Sequence, residues 1–544
     1  MAADETIRTA VVIVHGMGEQ RPMDTLDGFV KMALRPRDVN GEPKWDYYYS
    51  RPAEVTGSYE ARRYISRQLG SFMGPDGAPT EPIQGQTEIY EYHWSYLMTG
   101  NRFADVMPKT LRLLLRRASN VPDALFGIWR VVWIVLLAIL LAIPALFVAG
   151  YLLNTDVPAW IIGVIVSAVI LIFWFGLFRL VARALVNKVT KSFVDVVRYL
   201  DTSPHSYAAR RAIRGGLVDL LHALHDGRYS RVVVVAHSLG AYIAYDALTA
   251  LWAQTHELHA GPIDDPIPLE SLDTLEGAAD RLIADPDAPG ALDDFQDLQF
   301  ALWQDLRRQG NPWRITDFVT AGTPMALADL LVTRPSLFSG FTKADRTYRT
   351  ELFDSLVRRG ALVRCPPRSE TLPVESNEHH PVSYRWNRSG PREVLGSQSP
   401  FAVTRWTNLW FPVTRGELRG DWFGGALRPL FGPGIRDIEV LGNVPERFKR
   451  GSAHTEYFAH PDRGDEGDAA WHIRTTLALQ THAVLERLLD APPPDHAAPV
   501  QPLQAPTSQT TSQTWSSPLS EAPPGSKRDR TAAVPSPSRS RLRG

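Results

Sequence analysis

The stretch RVVVVAHSLGAYIAYDAL, residues 231–248, restricts the fold of this chain more than any other. Four consecutive valines are stiff at χ1 and suit an extended, buried strand. A continuous apolar run, as opposed to an alternating one, marks a strand covered on both faces, and such strands belong to parallel sheets flanked by helices. The run stops at Ala236-His237-Ser238-Leu239-Gly240, after which small and apolar residues recur at helical spacing. A strand that turns sharply into a helix needs small neighbours at the turn, because the helix passes close to the strand it has just left. The sequence therefore predicts an α/β fold with Ser238 on the turn.

The same alternation runs along the chain. AVVIVHG (10–16), KWDYYYS (44–50), EIYEYHWSYL (88–97), RITDFVTAGTP (314–324), RWTNLWFP (405–412) and IRDIEVLG (435–442) read as strands. Helical patterns cover about 192–225 and 469–490. Residues 253–298 are acidic and rich in Pro and Gly, as expected of an insertion over the top of the sheet, where it could act as a lid. Beyond Pro492 the chain turns to Pro, Ser, Thr, Ala and Gln, a composition that buries too little apolar surface to offset its ordering entropy, so 492–544 is expected to be a disordered tail.

Residues 131–153 and 159–178 carry no charged side chain, and each is long enough to cross a hydrocarbon core of ~30 Å as a helix. The short connection holds Asp156 alone, whereas Lys109, Arg112, Arg116, Arg117 and Arg130 precede the pair and Arg179, Arg183, Lys188 and Lys191 follow it. Under the positive-inside rule this is a two-pass hairpin with the α/β domain and both termini in the cytoplasm. Trp129, Trp133, Trp160 and Trp174 stand near the span ends, where interfacial aromatics belong. The N-terminal MAADETIRTA lacks the basic region and long apolar core of an export signal. The domain plan is then 1–125 and 183–491 as two parts of one α/β domain, 126–182 as the membrane hairpin, and 492–544 as the tail.

Lys and Arg number 58 against 59 Asp and Glu, a balance that argues against a dedicated nucleic-acid binder. The single cysteine, Cys365, excludes an internal disulfide framework and a cysteine metal cluster. No metal, nucleotide or flavin motif is present, and no cofactor is expected.

Ala-His-Ser-Leu-Gly is similar to the nucleophile elbow Gly-x-Ser-x-Gly, with Ala236 in place of the first glycine. Through this motif and others spread over residues 8–490, the chain resembles the α/β-hydrolase superfamily, particularly its lipase and esterase branch. The resemblance implies Ser238 as nucleophile and the Leu239 N–H as one oxyanion donor. His15-Gly16-Met17-Gly18 is similar to the family's His-Gly oxyanion loop, which makes the Met17 N–H the second donor. Family order is serine, acid, histidine. His454 in GSAHTEYFAH matches the family's histidine setting better than His379, His380 or His460. RWTNLWFPVTRGELRGDWFGG (405–425) resembles the lipase strand that runs into a loop with Asp before Gly-Gly, which selects Asp421 over Asp329 and Asp437. The implied protein is a membrane-anchored serine esterase acting on an ester, with lipid or acylated molecules as natural substrates. A non-catalytic membrane scaffold of the same fold and a secreted phospholipase-type toxin are the alternatives.

Overall fold

The computed structural model describes residues 7–16, 24–33, 48–52, 62–66, 85–98, 115–152, 195–200 without 197, 204–259 without 228, 268–332, 340, 344–367, 383–386, 392–440, 453–458 and 469–479, with 161, 164, 168, 488, 501 and 502 besides. In chain order the first half contains β1 (Ile7–Val14), α1 (Asp24–Ala33), β2 (Tyr48–Pro52), β3 (Arg62–Ser66), β4 (Gly85–Tyr92), α2 (Asp123–Leu152), α3 (Pro204–Asp226), β5 (Arg231–His237) and α4 (Leu239–Thr255). There follow the two-residue β6 (Leu258–His259), α5 (Leu272–Ala284), α6 (Ala291–Arg308), β7 (Ile315–Ala321), α7 (Ala328–Val332) and α8 (Asp345–Arg358). The series closes with β8 (Ser383–Trp386), β9 (Arg392–Leu395), β10 (Arg405–Trp410), α9 (Arg428–Phe431), β11 (Ile435–Glu439), α10 (Ala469–Leu477) and β12 (Gln501–Pro502).

Eight strands form the main sheet in the order β11-β10-β7-β5-β1-β4-β3-β2. The pairs from β11 through β4 are parallel, and β3 and β2 add an antiparallel edge. This is the α/β class that the valine run implies. The reason is visible in β1 and β5, whose side chains alternate between two cores. Val12, Val14, Val232, Val234 and Ala236 face one core, where Ile213, Leu217 and Leu221 of α3 and Leu239, Ile243 and Leu251 of α4 cover them. Val11, Ile13, Val233 and Val235 face the other, under Leu26 and Phe29 of α1 and Ile473 and Leu477 of α10. Neither face is wet, so neither set of alternating positions can be polar.

Strand order reverses at β1: the chain crosses from β1 to the edge at β2 and works inward through β3 to β4, then passes to β5 on the other side of β1 and moves outward through β7, β10 and β11. In open α/β sheets the crevice at the carboxyl ends of the strands beside such a reversal is where ligands bind. His15, Ser238 and Gly322 immediately follow β1, β5 and β7, and residues 411–427 follow β10.

The acidic stretch 253–298 differs from a simple Pro-Gly insertion. Its described part contains α5 and the first turns of α6, and Leu272, Leu275, Leu282 and Phe295 are buried in the main core. The acidic side chains hold the outer face of amphipathic helices, which composition alone does not distinguish from a loop. Among the described residues no helix is long and apolar enough to cross a membrane. Side chains of α2 are described only as far as Leu141, and 159–178 lies outside the described residues except at 161, 164 and 168. Of the expected tail 492–544, residues 501 and 502 form β12 against β6, and the rest lies outside the described residues.

α4 starts so close to β1 that a Cβ at Gly240 would come within 2.3 Å of the Val14 carbonyl oxygen and 2.5 Å of that of His15. Both contacts are backbone, which cannot swing away. Gly240→Ala should therefore lower the thermal midpoint, at a cost of about 1–3 kcal/mol or more. At Gly215, inside α3, a Cβ would meet nothing within 4 Å. Gly215→Ala should raise the midpoint, by up to about 1 kcal/mol of helix propensity. A thermal midpoint of Gly240→Ala at or above that of the parent protein would contradict the close approach.

Candidate active site

Ser238, directly after β5, has φ 56° and ψ −125°, and among the described non-glycine residues only Ala478 shares a positive φ. Such a conformation costs on the order of 1–3 kcal/mol and persists only where the surroundings impose it. Here the Ser238 N–H donates to the Ala321 carbonyl at 2.9 Å, and the Ser238 carbonyl accepts from the Ala241 N–H at 3.1 Å. The elbow is thus pinned to β7 on one side and to its own helix on the other. Leu239 is the first residue of α4, so its N–H is one of those a helix leaves without an intrahelical acceptor, at the positive end of the helix dipole.

Three side chains from three loops meet in one line. His454 Nε2 lies 2.7 Å from Ser238 Oγ, and His454 Nδ1 lies 2.9 Å and 3.1 Å from the two Asp421 oxygens. A carboxylate only accepts, so Nδ1 carries the proton and Nε2 presents a lone pair to the serine hydroxyl. Ser238 and Asp421 are fully buried and His454 nearly so.

Two residues that sequence reasoning did not single out complete this arrangement. The Tyr457 hydroxyl donates to Asp421 Oδ2 at 2.8 Å and accepts from the Phe411 N–H at 2.9 Å. The Phe423 N–H donates to Asp421 Oδ1 at 2.9 Å. Burial alone would raise the Asp421 carboxyl, but the His454 ring, the Phe423 N–H and the Tyr457 hydroxyl outweigh it and hold the group below the ordinary carboxylate range. Gly322, with φ 57°, lets β7 close over this group: a Cβ there would meet Tyr457 Cε2 at 2.3 Å and Asp421 Oδ2 at 2.8 Å. The second residue is His237. Its Nε2–H donates to the His454 carbonyl at 2.8 Å, which ties the elbow to the loop of His454. Burial, followed by the neighbouring His454 ring, lowers His237 to about 3, so it stays neutral. The signal for Tyr457 was its spacing, three residues beyond His454 on the same tight turn. His237 carried no signal beyond its place in the motif.

Of the other candidates, Asp437 accepts from Asn408 Nδ2 at 2.7 Å and from the Arg428 N–H at 2.7 Å, which makes it a cap for α9. Asp329 pairs with Arg349. Neither bonds to His454. His15 is buried, stacks on Trp94 and accepts the Trp94 N–H at Nε2 at 3.3 Å while its Nδ1–H donates to the Gly16 carbonyl. Burial lowers it to about 4. Met17, the expected second oxyanion donor, lies outside the described residues, as do His379, His380 and His460. Among the described residues no group of His, Cys, Asp and Glu could hold a metal ion.

No family model, curated protein or solved structure matches the chain.

Tyr457→Phe removes one donor from Asp421, and its effect should depend on pH in a definite direction. A carboxyl held below its unfolded value of 3.8 contributes stability that is present above that value and lost as pH falls through the folded one. Without the hydroxyl the folded value rises, so the variant should unfold at a lower temperature at pH 7, by about 1–3 kcal/mol. The gap should narrow as Asp421 is protonated below about pH 4. Thermal midpoints recorded from pH 7 to pH 3 that keep a constant gap would show that the hydroxyl does not act through Asp421.

Proposed function

We propose that the chain is a membrane-anchored serine hydrolase that cleaves a carboxylic ester through an acyl-enzyme on Ser238. The observation that carries this reading is the hydrogen-bonded line from Ser238 Oγ through His454 to Asp421, at the carboxyl end of the central strand. Serine is a weak nucleophile unless a base takes its proton, and a buried imidazole at 2.7 Å supplies that base. Ser238 Oγ attacks the ester carbonyl carbon as its proton passes to His454 Nε2. The C–O bond to the alcohol then breaks, and the alcohol leaves with that proton. Water repeats the sequence on the acyl-serine and releases the acid. Asp421 holds the tautomer and stabilises the transient imidazolium without taking its proton. The Leu239 N–H supports the oxyanion, and the Met17 N–H is proposed as its companion.

The anchor is the hairpin 131–178. Ile134, Leu137, Leu140 and Leu141 of α2 are each more than half exposed, a set of large apolar side chains that water does not favour and lipid does. Lipid or acylated esters are the natural substrates of a site carried on such an anchor, with the catalytic domain and both termini in the cytoplasm.

Labelling membranes with a fluorophosphonate tests the nucleophile. Ser238→Ala should abolish labelling and lower ester turnover on the order of 10⁶-fold, with membrane insertion intact. Asp421→Asn should cost about 10⁴-fold, since an amide can donate to the imidazole and stabilise the wrong tautomer. Asp329→Asn should leave turnover within a few-fold. A labelled Ser238→Ala protein would sink the reading. The topology is tested separately: cysteine at Asp156 should react with an impermeant maleimide from outside the cell and cysteine at Thr190 should not. The reverse pattern would invert the anchor.

A further inference from the structure

The first two turns of α2 are fastened to the loop that carries Asp421. Arg130 Nη2 donates to the Gly416 carbonyl at 2.7 Å. Arg415 pairs with Asp123, donates to the Ala118 carbonyl at 2.7 Å, and lays its guanidinium 4.1 Å from the centre of the Phe126 ring. Helix and loop touch so closely at Gly127 that a Cβ there would fall 2.1 Å from the Glu417 carbonyl oxygen. Beneath these contacts Val121, Leu125 and Leu327 form a small apolar cluster, with Phe126, Trp129 and Trp422 packed against it. Trp422 directly follows Asp421, so the seam and the site share one segment of chain.

Three features of this seam point to one kind of partner. The exposed apolar side chains of α2 begin one turn beyond it, at Ile134, and no polar side chain intervenes from 131 to 141. In the loop itself Leu418 is 43% exposed, a large apolar side chain presented to the outside beside Trp422. Around them Arg117, Arg130, Arg415 and Arg419 are exposed against two exposed acids, Asp123 and Glu417. Apolar and indole side chains ringed by an excess of arginine suit the boundary between acyl chains and anionic headgroups. A protein partner for the same helix would call for polar rim positions, and the charge-free run from 131 to 153 offers none.

We propose that the seam between α2 and loop 412–422 is a docking surface for a phospholipid bilayer with anionic headgroups, and that Ser238 takes an ester whose acyl chain lies in that same bilayer. The proposal rests on the hydrolase and anchor readings above. Held by Arg130, Arg415 and the contact at Gly127, the acid loop is fixed at the membrane surface by the anchor itself. A lipid ester then reaches the site by lateral diffusion and has no need to leave the membrane.

The test uses the full chain in vesicles of phosphatidylcholine with a minor share of phosphatidylglycerol. An environment-sensitive NBD fluorophore is placed at Leu418→Cys or at Ala253→Cys. Ala253 is exposed near the far end of α4 from Ser238, about 20 Å along a helix rising 1.5 Å per residue. Cys365 stays in place, because it is fully buried and burial pushes its thiol well above the ordinary range. Nitroxide lipids labelled near the headgroup should quench the probe at 418 at least three-fold more than the probe at 253. Equal quenching at the two positions would overturn the surface, and so would disulfide-linked dimers through position 418, which would assign it to a second copy of the chain. For the substrate, a long-chain ester in the same vesicles as the protein should be hydrolysed at least ten-fold faster than the same ester in separate vesicles. Equal rates would overturn the lateral route. Fluorophosphonate labelling of the same samples separates the readings. Labelling without quenching defeats the surface alone, whereas quenching without labelling defeats the hydrolase and leaves the surface standing.

Discussion

Everything at the carboxyl end of this sheet depends on how closely α4 can approach β1. The start of α4 presses on the Val14 and His15 carbonyls, at a distance that only a residue without a side chain permits. That approach forces the chain to turn within one residue, and the turn places Ser238 in a backbone region that serine rarely occupies. The strain persists because β5 lies between its parallel neighbours β1 and β7, in regular register with both from Val233 to Ala236, so relaxing the elbow would mean breaking ladder hydrogen bonds on both sides. A strained serine in the middle of a rigid sheet is also a pre-positioned one. Its hydroxyl faces His454 without a loop having to order first, and the ordering cost has already been met in folding.

The partners of the serine are held by a different logic, that of a buried charge which must be fully bonded. A carboxylate with no exposure is costly unless hydrogen bonds surround it. Asp421 accepts from His454, Phe423 and Tyr457, and the Ala453 N–H donates to the Gly420 carbonyl at 2.8 Å, which locks the two loops together beside it. His237 and His15 lie nearby, but burial keeps both neutral at pH 7, so neither competes for the carboxylate with a charge of its own. The far end of the sheet repeats the pattern for stability alone. Arg231 and Arg405 bind the two oxygens of buried Asp317 at 2.6 and 2.7 Å and join the starts of β5, β7 and β10.

The parts of this molecule legible in its sequence are those set by short-range rules. A run of valines must be buried on both faces, and the residues around Ser238 had to be small, so the class of the fold and the turn could be read directly. His454 and Asp421 were legible as positions in a chain order, and the structure brings both to the serine. Tyr457 and His237 were harder, because their roles depend on contacts between loops 36 and 217 residues apart in sequence. No local pattern encodes such distances. The helices within 253–308 were obscured for the opposite reason: acidic residues on an outer face and Pro-Gly punctuation between helices give the composition of a loop, while the buried Leu and Phe positions carry the fold. Strand β3, between β4 and the edge strand β2, gave no signal, since its five residues RRYIS are short and mix charged with apolar side chains.

The place of the α2 segment in the chain also has a topological reason. In a parallel sheet every segment that follows a strand leaves from the same end, and every segment that precedes one arrives at the other. α2 lies in the connection between β4 and α3, the first half of the crossover that returns to β5. An insertion there emerges at the carboxyl end, on the side of Ser238, Asp421 and His454. Had the same residues been inserted between α3 and β5, they would have emerged beside Arg231 and Asp317, a strand length away from Ser238, Asp421 and His454. The contacts of Arg130 with Gly416 and of Arg415 with Asp123 are possible only because the loops after β4 and β10 share that end. On the proposed reading, an anchor at this point of the chain would hold the Ser238 end of the sheet against the membrane without a separate lipid-binding domain.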